Sequence, residues 1–256
     1  MGLNKNFIQS PSFKAKFKKK FFKKIKMDHV TFLLSLPAID FESRNKYLTA
    51  SNFPKILNRG YTKNRIKIPD FRGDYIKELL GEIKPKVPYS AFTNHGNKYE
   101  KTARKMFEKE TGLKVHLLKT LCHDQVHENG HSFIAGTVDG LTKDGYVIEI
   151  KCPYYHPETG CKKPEKVEVP SYYEDQAMGY VWILKAKGYY FVQYYHDPKK
   201  EKRKITIVKK EWDPQWQIEN EPKILSFWDE YQKKKQEKKD KFLDFYFECL
   251  KKSKIE

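Results

Sequence analysis

The chain has 256 residues, of which 51 are Lys or Arg and 33 are Asp or Glu, for a formal net charge of +18 and a pI near 9.5. That length suffices to bury a core as one generous domain, the charge points to a polyanionic partner, nucleic acid ahead of a membrane surface, and no apolar run approaches a bilayer span. Four cysteines, Cys122, Cys152, Cys161 and Cys249, exclude a disulfide framework in a chain this long, and with no uninterrupted apolar leader the expectation is a soluble, intracellular protein of the cytoplasm or nucleus.

Residues 1–38 read as a basic, flexible arm: up to Met27 they hold nine lysines and no acid. Phe13, Phe17, Phe21 and Ile25 recur at every fourth position, so the arm is either a disordered basic tail that tethers DNA or directs nuclear import, or an amphipathic helix that forms on a partner. The single folded domain is expected over 39–256. Ile39 to Leu57 reads as helix, loop and helix, with Thr49-Ala-Ser51 at the junction and Pro54 in a first helical turn. Residues 58–87, punctuated by glycine and proline, read as loop with a short helix near Tyr75 to Leu80.

Gly96 to Glu110 carries Tyr99, Ala103, Met106 and Phe107 at helical spacing and is stopped by Thr111-Gly112. Glu100 lies on the flank of that apolar stripe, where a carboxylate needs solvent or a partner. Lys114 to Leu121 and Ser132 to Val138 read as strands around a polar loop, His123 to His131. His116, His123, His127 and His131 suggest zinc, but histidines so spaced in a polar loop read as solvated; Cys152, His156 and Cys161 lack a C-x(2)-C pair, so free thiols are expected.

The next stretch, Gly136 to Pro153, reads as a β-hairpin. Tyr146 to Lys151 alternates β-branched and charged residues, so Val147, Glu149 and Lys151 share one face and Ile148 and Ile150 the other. Asp139 joins Glu149 only if the loop has an odd number of residues, and Lys143-Asp144-Gly145, with glycine at the left-handed position, meets that condition. Two hard carboxylates suit Mg²⁺, and an adjacent lysine can orient or activate water and offset phosphate charge.

Beyond it, Pro170-Ser-Tyr-Tyr-Glu-Asp-Gln176 opens a helix to about Lys185, with Tyr173, Gln176, Tyr180 and Ile183 on one face. Tyr189 to Tyr195 and Lys204 to Lys210 read as antiparallel strands. A helical extension is expected from about 222 to Leu250, with a lysine-rich middle and an apolar end, Phe242, Leu243, Phe245, Tyr246 and Phe247, that should bury on the domain or on a neighbouring subunit.

The hairpin resembles the PD-(D/E)xK nuclease core, with Val138-Asp139 in place of Pro-Asp and Glu149-Ile150-Lys151 as its E-x-K element. Glu149-Ile-Lys-Cys-Pro153 is similar to the lambda-exonuclease type, the viral recombinase family. Three further elements follow in order: Arg44-Asn-Lys-Tyr-Leu-Thr-Ala-Ser51, Gly96-Asn-Lys-Tyr-Glu100, and Gln176 with Tyr180. The missing proline shapes a turn and does no chemistry. Four clustered cysteines, the mark of the iron-sulfur branch of this superfamily, are absent.

The resemblance implies an α/β fold with a mixed, twisted central β-sheet flanked by helices. It implies a metal site of Asp139, Glu149, the Ile150 carbonyl and Glu100, holding two Mg²⁺ with Mn²⁺ as substitute. Lys151 would orient or activate water, and Gln176 would orient Lys151 or the phosphate. Arg44, Ser51 and Thr137 would hold a DNA 5′-phosphate, and Tyr173 and Tyr180 would support DNA or the core. The implied activity is 5′-to-3′ exonuclease action on double-stranded DNA ends, with a single-strand annealing protein as partner and a trimer as the assembly. From the residues alone comes only metal-dependent phosphodiester cleavage; an endonuclease on the same core and a DNA-binding protein with a vestigial site are the rivals.

Overall fold

The computed structural model describes residues 27–39, 46–60, 69–85, 90–153, 168–197 and 202–252. In chain order these form α1 (His29–Ser35), β1 (Leu48–Thr49), a 3-10 turn (Ala50–Asn52), α2 (Phe53–Ile56), α3 (Phe71–Leu79) and α4 (Ser90–Thr111). Then follow β2 (Val115–His116), β3 (Leu121–Cys122), α5 (His123–Val126), β4 (Ile134–Gly136), β5 (Gly140–Thr142) and β6 (Val147–Lys151). The chain ends in α6 (Ser171–Leu184), β7 (Gly188–Asp197), β8 (Lys202–Glu211) and α7 (Pro214–Lys252).

The larger sheet has the order β2-β5-β6-β7-β8, the smaller β1-β4-β3. β6 and β7 are parallel, with Val147 opposite Tyr189, because α6 carries the chain back along one face of the sheet. β7 and β8 form a long antiparallel ribbon from Gly188 opposite Glu211 to Asp197 opposite Lys202.

The strand period divides the core in two. Val147, Tyr189 and Phe191 join the cluster that includes α6, while Ile148, Ile150, Tyr190, Val192 and Tyr194 join Ala103 and Phe107 of α4. The sheet is therefore covered by α4 on one face and α6 on the other. Phe107 is fully buried and meets Tyr190 edge-on at 5.1 Å; burial of a side chain that size is worth about 1.5–3 kcal/mol. α6 is buried on nearly all sides, from Ala177 to Leu184, since Phe53 of α2 and Trp216 of α7 close over it.

Several expectations change. The arm assigned to residues 1–38 includes α1, whose Val30 and Leu33 reach the main core and whose start is capped by Asp28 accepting from the Thr31 N–H at 3.0 Å. Leu48 and Thr49 belong to a strand parallel to β4, where helix, loop and helix were expected. The expected strand 114–121 is two short pieces in different sheets, and the loop after it holds α5. α7 begins at Pro214 and runs through Pro222. The carbonyl that Pro222 leaves without a donor is that of Ile218, which is 67% exposed and can turn to water. The apolar end of α7 does not bury on the described chain: Phe242 and Phe245 are each 65% exposed.

Candidate active site

The hairpin sets the register on which the site depends. Gly140 lies opposite Ile148 and Leu141 opposite Val147, so the next step outward sets Asp139 against Glu149. Lys143-Asp144-Gly145 is the loop: the Thr142 N–H donates to the Tyr146 carbonyl at 2.8 Å and the Gly145 N–H to the Thr142 carbonyl at 3.0 Å. Gly145 takes a φ of 93°, a backbone state that a side chain would strain. At the other end Asp139 stops the ladder with its own side chain, its Oδ2 accepting from the Ile150 N–H at 2.7 Å.

Glu149 is only 2% exposed and pairs with the Lys151 ammonium, which lies on the same face. Lys151 is held on two further sides. Its Nζ sits 4.5 Å from the centre of the Tyr173 ring and donates to Gln176 Oε1 at 3.5 Å. Gln176 is fixed in turn by donating from Nε2 to the Tyr180 hydroxyl at 3.0 Å. Tyr173, Gln176 and Tyr180 thus act on the site from one face of α6.

Glu100 arrives from α4, on the opposite side of the sheet. Its carboxylate accepts from Arg104 one turn on, and Arg104 Nε also donates to the Asp139 carbonyl at 3.1 Å. Arg104 was not singled out in the sequence; a basic residue four positions after an acid on a helix is too common a pattern to mark it. Glu100, Asp139, Glu149, Lys151, Tyr173, Gln176 and Tyr180, with Ser51, Gly96, Thr137, Ile150 and Cys152, line one cleft of about 620 Å³. A Cβ built on Gly96 meets nothing within 4 Å, so the glycine leaves open space facing the cleft. Arg44, His156 and Cys161 lie outside the described residues.

Burial, reinforced by the neighbouring Glu149, holds Asp139 well above the ordinary carboxylate range. Burial also raises Glu149, although Lys151 opposes it. Burial disfavours the charge on Lys151, but the attraction of Glu149 outweighs it and lifts its pKa. Cys152 is pushed up to about 12 by burial and by Asp139, so it is a neutral thiol.

The available donors, three carboxylates and the Ile150 carbonyl, are all hard oxygens and fit a divalent ion such as Mg²⁺. Among the described residues no three histidine, cysteine or acidic side chains hold an ion's geometry as they stand. At the hairpin Glu149 is paired with Lys151, and Glu100 with Arg104.

His123, His127 and His131 are not solvated loop residues but pack together beside α6. His123 is 3% exposed and stacks on His127 with ring centres 3.7 Å apart. Its Nδ1 accepts from the His131 N–H at 3.0 Å. His127 Nε2 bonds the Trp182 carbonyl at 2.8 Å, and His131 Nε2 meets Glu221 at 3.2 Å. The rings of His123 and His131 pack against Trp182 of α6.

Two acids and a lysine on a hairpin, in a mixed sheet with helices on both faces, define a fold of the PD-(D/E)xK type. The model of the YqaJ-like viral recombinase domain matches residues 41–187, more than half of the chain, and the chain belongs to that family. Its fold is similar to that of an alkaline exonuclease from Laribacter hongkongensis, with a TM-score of 0.61 at 21% identity over 80% of this chain and 97% of that one. The same enzyme in complex with dAMP matches with a TM-score of 0.61 at 20% identity over 80% and 97% of the two chains. A phage-related exonuclease from Haemophilus somnus 129PT matches with a TM-score of 0.53 at 17% identity over 75% and 96%. A comparison with curated protein sequences gives no match.

Proposed function

We propose that the protein is a metal-dependent deoxyribonuclease that removes nucleotides 5′ to 3′ from the ends of double-stranded DNA, in recombination or in viral DNA processing. The observation that carries the reading is the hairpin register, which sets Asp139 opposite Glu149 with Lys151 on the same face. Family membership supports a nuclease, and one of the enzymes that share the fold was solved with a nucleotide, dAMP. The net charge of +18 suits a polyanionic substrate.

In this reading Asp139, Glu149, Glu100 and the Ile150 carbonyl hold Mg²⁺, two ions per site, with Mn²⁺ as substitute. A bound divalent ion polarises the scissile phosphate and offsets the charge that develops on it. Lys151, on the same face as Glu149, would present its ammonium to the attacking water or the phosphate. Gln176 and the Tyr173 ring would hold the lysine in place, and Tyr180 would anchor Gln176. Ser51 and Thr137, together with Arg44, receive the 5′-phosphate. From the family resemblance come two partners: a single-strand annealing protein that takes the remaining strand, and two further copies of the chain in a trimeric ring.

Digestion of linear duplex with and without a 5′-phosphate, in Mg²⁺ and in chelator, beside a covalently closed circle, tests the reading. The expected result is release of mononucleotides from linear duplex in Mg²⁺ only, fastest with the phosphate. Cleavage of the closed circle would move the assignment to an endonuclease, and inertness with every divalent ion would leave a DNA-binding protein.

A further inference from the structure

The end of the cleft that faces the smaller sheet presents hydroxyls in an ordered row. β1 and β4 run parallel with Thr49 opposite Ala135; Ser51, in the 3-10 turn that follows β1, and Thr137, the residue after β4, both line the cleft. On the other side of β4, β3 is antiparallel with Leu121 opposite Gly136, which brings Thr120 beside Thr137. The two threonine hydroxyls are 2.7 Å apart. On the Ser51 side, Thr49 Oγ1 lies 3.0 Å from Ser51 Oγ and accepts from Asn52 Nδ2 at 3.0 Å.

These contacts have a direction. A hydroxyl carries one hydrogen, and an amide nitrogen can only donate. Asn52 therefore makes Thr49 Oγ1 an acceptor. Thr49 is 6% exposed, so its own hydrogen has little water to turn to, and the neighbouring acceptor is Ser51 Oγ. Ser51, receiving that bond, has its hydrogen left for the cleft. On the other strand, Thr120 donating to Thr137 leaves the Thr137 hydrogen for the cleft in the same way. A phosphate oxygen only accepts, so its arrival selects this orientation on both sides. Chains of such bonds also polarise one another and strengthen the terminal donor.

We infer that Asn52 and Thr49 on one side, and Thr120 on the other, are positioning residues that turn the hydroxyl hydrogens of Ser51 and Thr137 into the cleft and so set a preference for DNA ends carrying a 5′-phosphate. The inference rests on the nuclease reading of this cleft. Ser51, aimed through Thr49 by the Asn52 donor, loses little freedom when the anion binds, and Thr120 gives Thr137 a partner in the orientation the anion selects; both favour a terminal phosphate over a terminal hydroxyl.

The test uses binding, so that it stands apart from turnover. Fluorescent duplexes ending in 5′-phosphate or 5′-hydroxyl are titrated with the full chain in chelator, and the ratio of the two dissociation constants is read by anisotropy. Thr120→Val and Thr49→Val keep the side-chain shape and remove the hydroxyl; each should reduce the ratio by about tenfold, the scale of one hydrogen bond to a charged group. Thr120→Ser and Thr49→Ser lose a methyl but keep the hydroxyl, and should retain the ratio. Asn52→Asp, which replaces the obligatory donor with an acceptor, should reduce it as the valines do. A packing role predicts the opposite order, with valine tolerated and serine damaging. Should Thr49→Val fail to fold, Thr120→Val at the half-buried site decides. If the parent prefers the phosphate and the valine variants prefer it equally, the inference is overturned while the nuclease reading stands. If the parent binds both ends alike, the end-phosphate part of that reading fails first and takes the inference with it.

Discussion

Acid should destabilise this protein through the histidine stack, and His123 sets the size of the effect. Burial, with His127 and His131 beside it, lowers the pKa of His123 from the ordinary 6.5 to about 2. A base whose folded pKa is depressed stays neutral in the folded chain while the unfolded chain takes up a proton. Stability is therefore intact above pH 6.5 and falls as the pH drops toward 2. One pH unit is worth 1.36 kcal/mol, so lowering the pH from 7.5 to 5.0 crosses about 1.5 units of that window and costs about 2 kcal/mol. His127 is shifted in the same direction, also by burial, and adds to the loss. For a domain of this size about 2 kcal/mol corresponds to a fall in Tm of roughly 4–8 °C. The assay is urea unfolding at pH 7.5 and 5.0 for the parent and for His123→Gln, whose amide oxygen can still accept from the His131 N–H. The carboxylates are common to both proteins, so the difference between their two losses isolates His123. The variant should lose about 2 kcal/mol less than the parent; equal losses would refute the claim that this ring is held neutral by burial.

Other perturbations address the hairpin and its supports. Lys151→Ala should reduce nuclease kcat by about a hundredfold or more while anisotropy in chelator shows duplex still bound; loss of binding in step with activity would show that the lysine merely holds the substrate. Asp139→Asn keeps an acceptor for the Ile150 N–H and removes one of the clustered carboxylates, so in chelator it should raise the unfolding free energy by about 1–2 kcal/mol as it abolishes cleavage; a destabilised variant would contradict the like-charge account. Asp175, a buried residue of α6, accepts from Trp216 Nε1 at 3.0 Å and from Arg59 at 2.9 Å. Asp175→Ala strands both donors and should cost about 2–4 kcal/mol in denaturant unfolding, whereas a loss under 1 kcal/mol would mean that water replaces the carboxylate.

The hairpin was legible because everything that fixes it lies within one short stretch. Gly145 takes the left-handed corner cheaply in either a two-residue Asp144-Gly145 turn or the three-residue Lys143-Asp144-Gly145 loop; the three-residue loop is the one expected and found, and a period of two then carries Glu149 and Lys151 to the face that Asp139 meets. Nothing so local fixes Glu100 or Gln176. They reach the site because α4 and α6 pack on opposite faces of the sheet, and the sequence showed their convergence only through the family resemblance. Arg104 lies deeper in the same difficulty, since its role exists only once the Asp139 carbonyl stands within reach of α4. The misjudged segments share that cause. α1 has two core residues, Val30 and Leu33, too few to display a helical period behind a run of lysines. β1 has two residues, too short to show alternation at all. The histidine spacing is the same for a solvated loop and a buried stack; what decides is Trp182, far along the chain and on another helix. Pro222 reads as a start because a proline inside a helix is costly, yet the cost shrinks where the orphaned carbonyl faces water, and only exposure at Ile218 reveals that. The chemistry at the hairpin is thus specified locally and its surroundings by packing. A substitution that loosens α4 or α6 should therefore weaken the partners of Asp139 and Lys151 before it disturbs the register that sets them together.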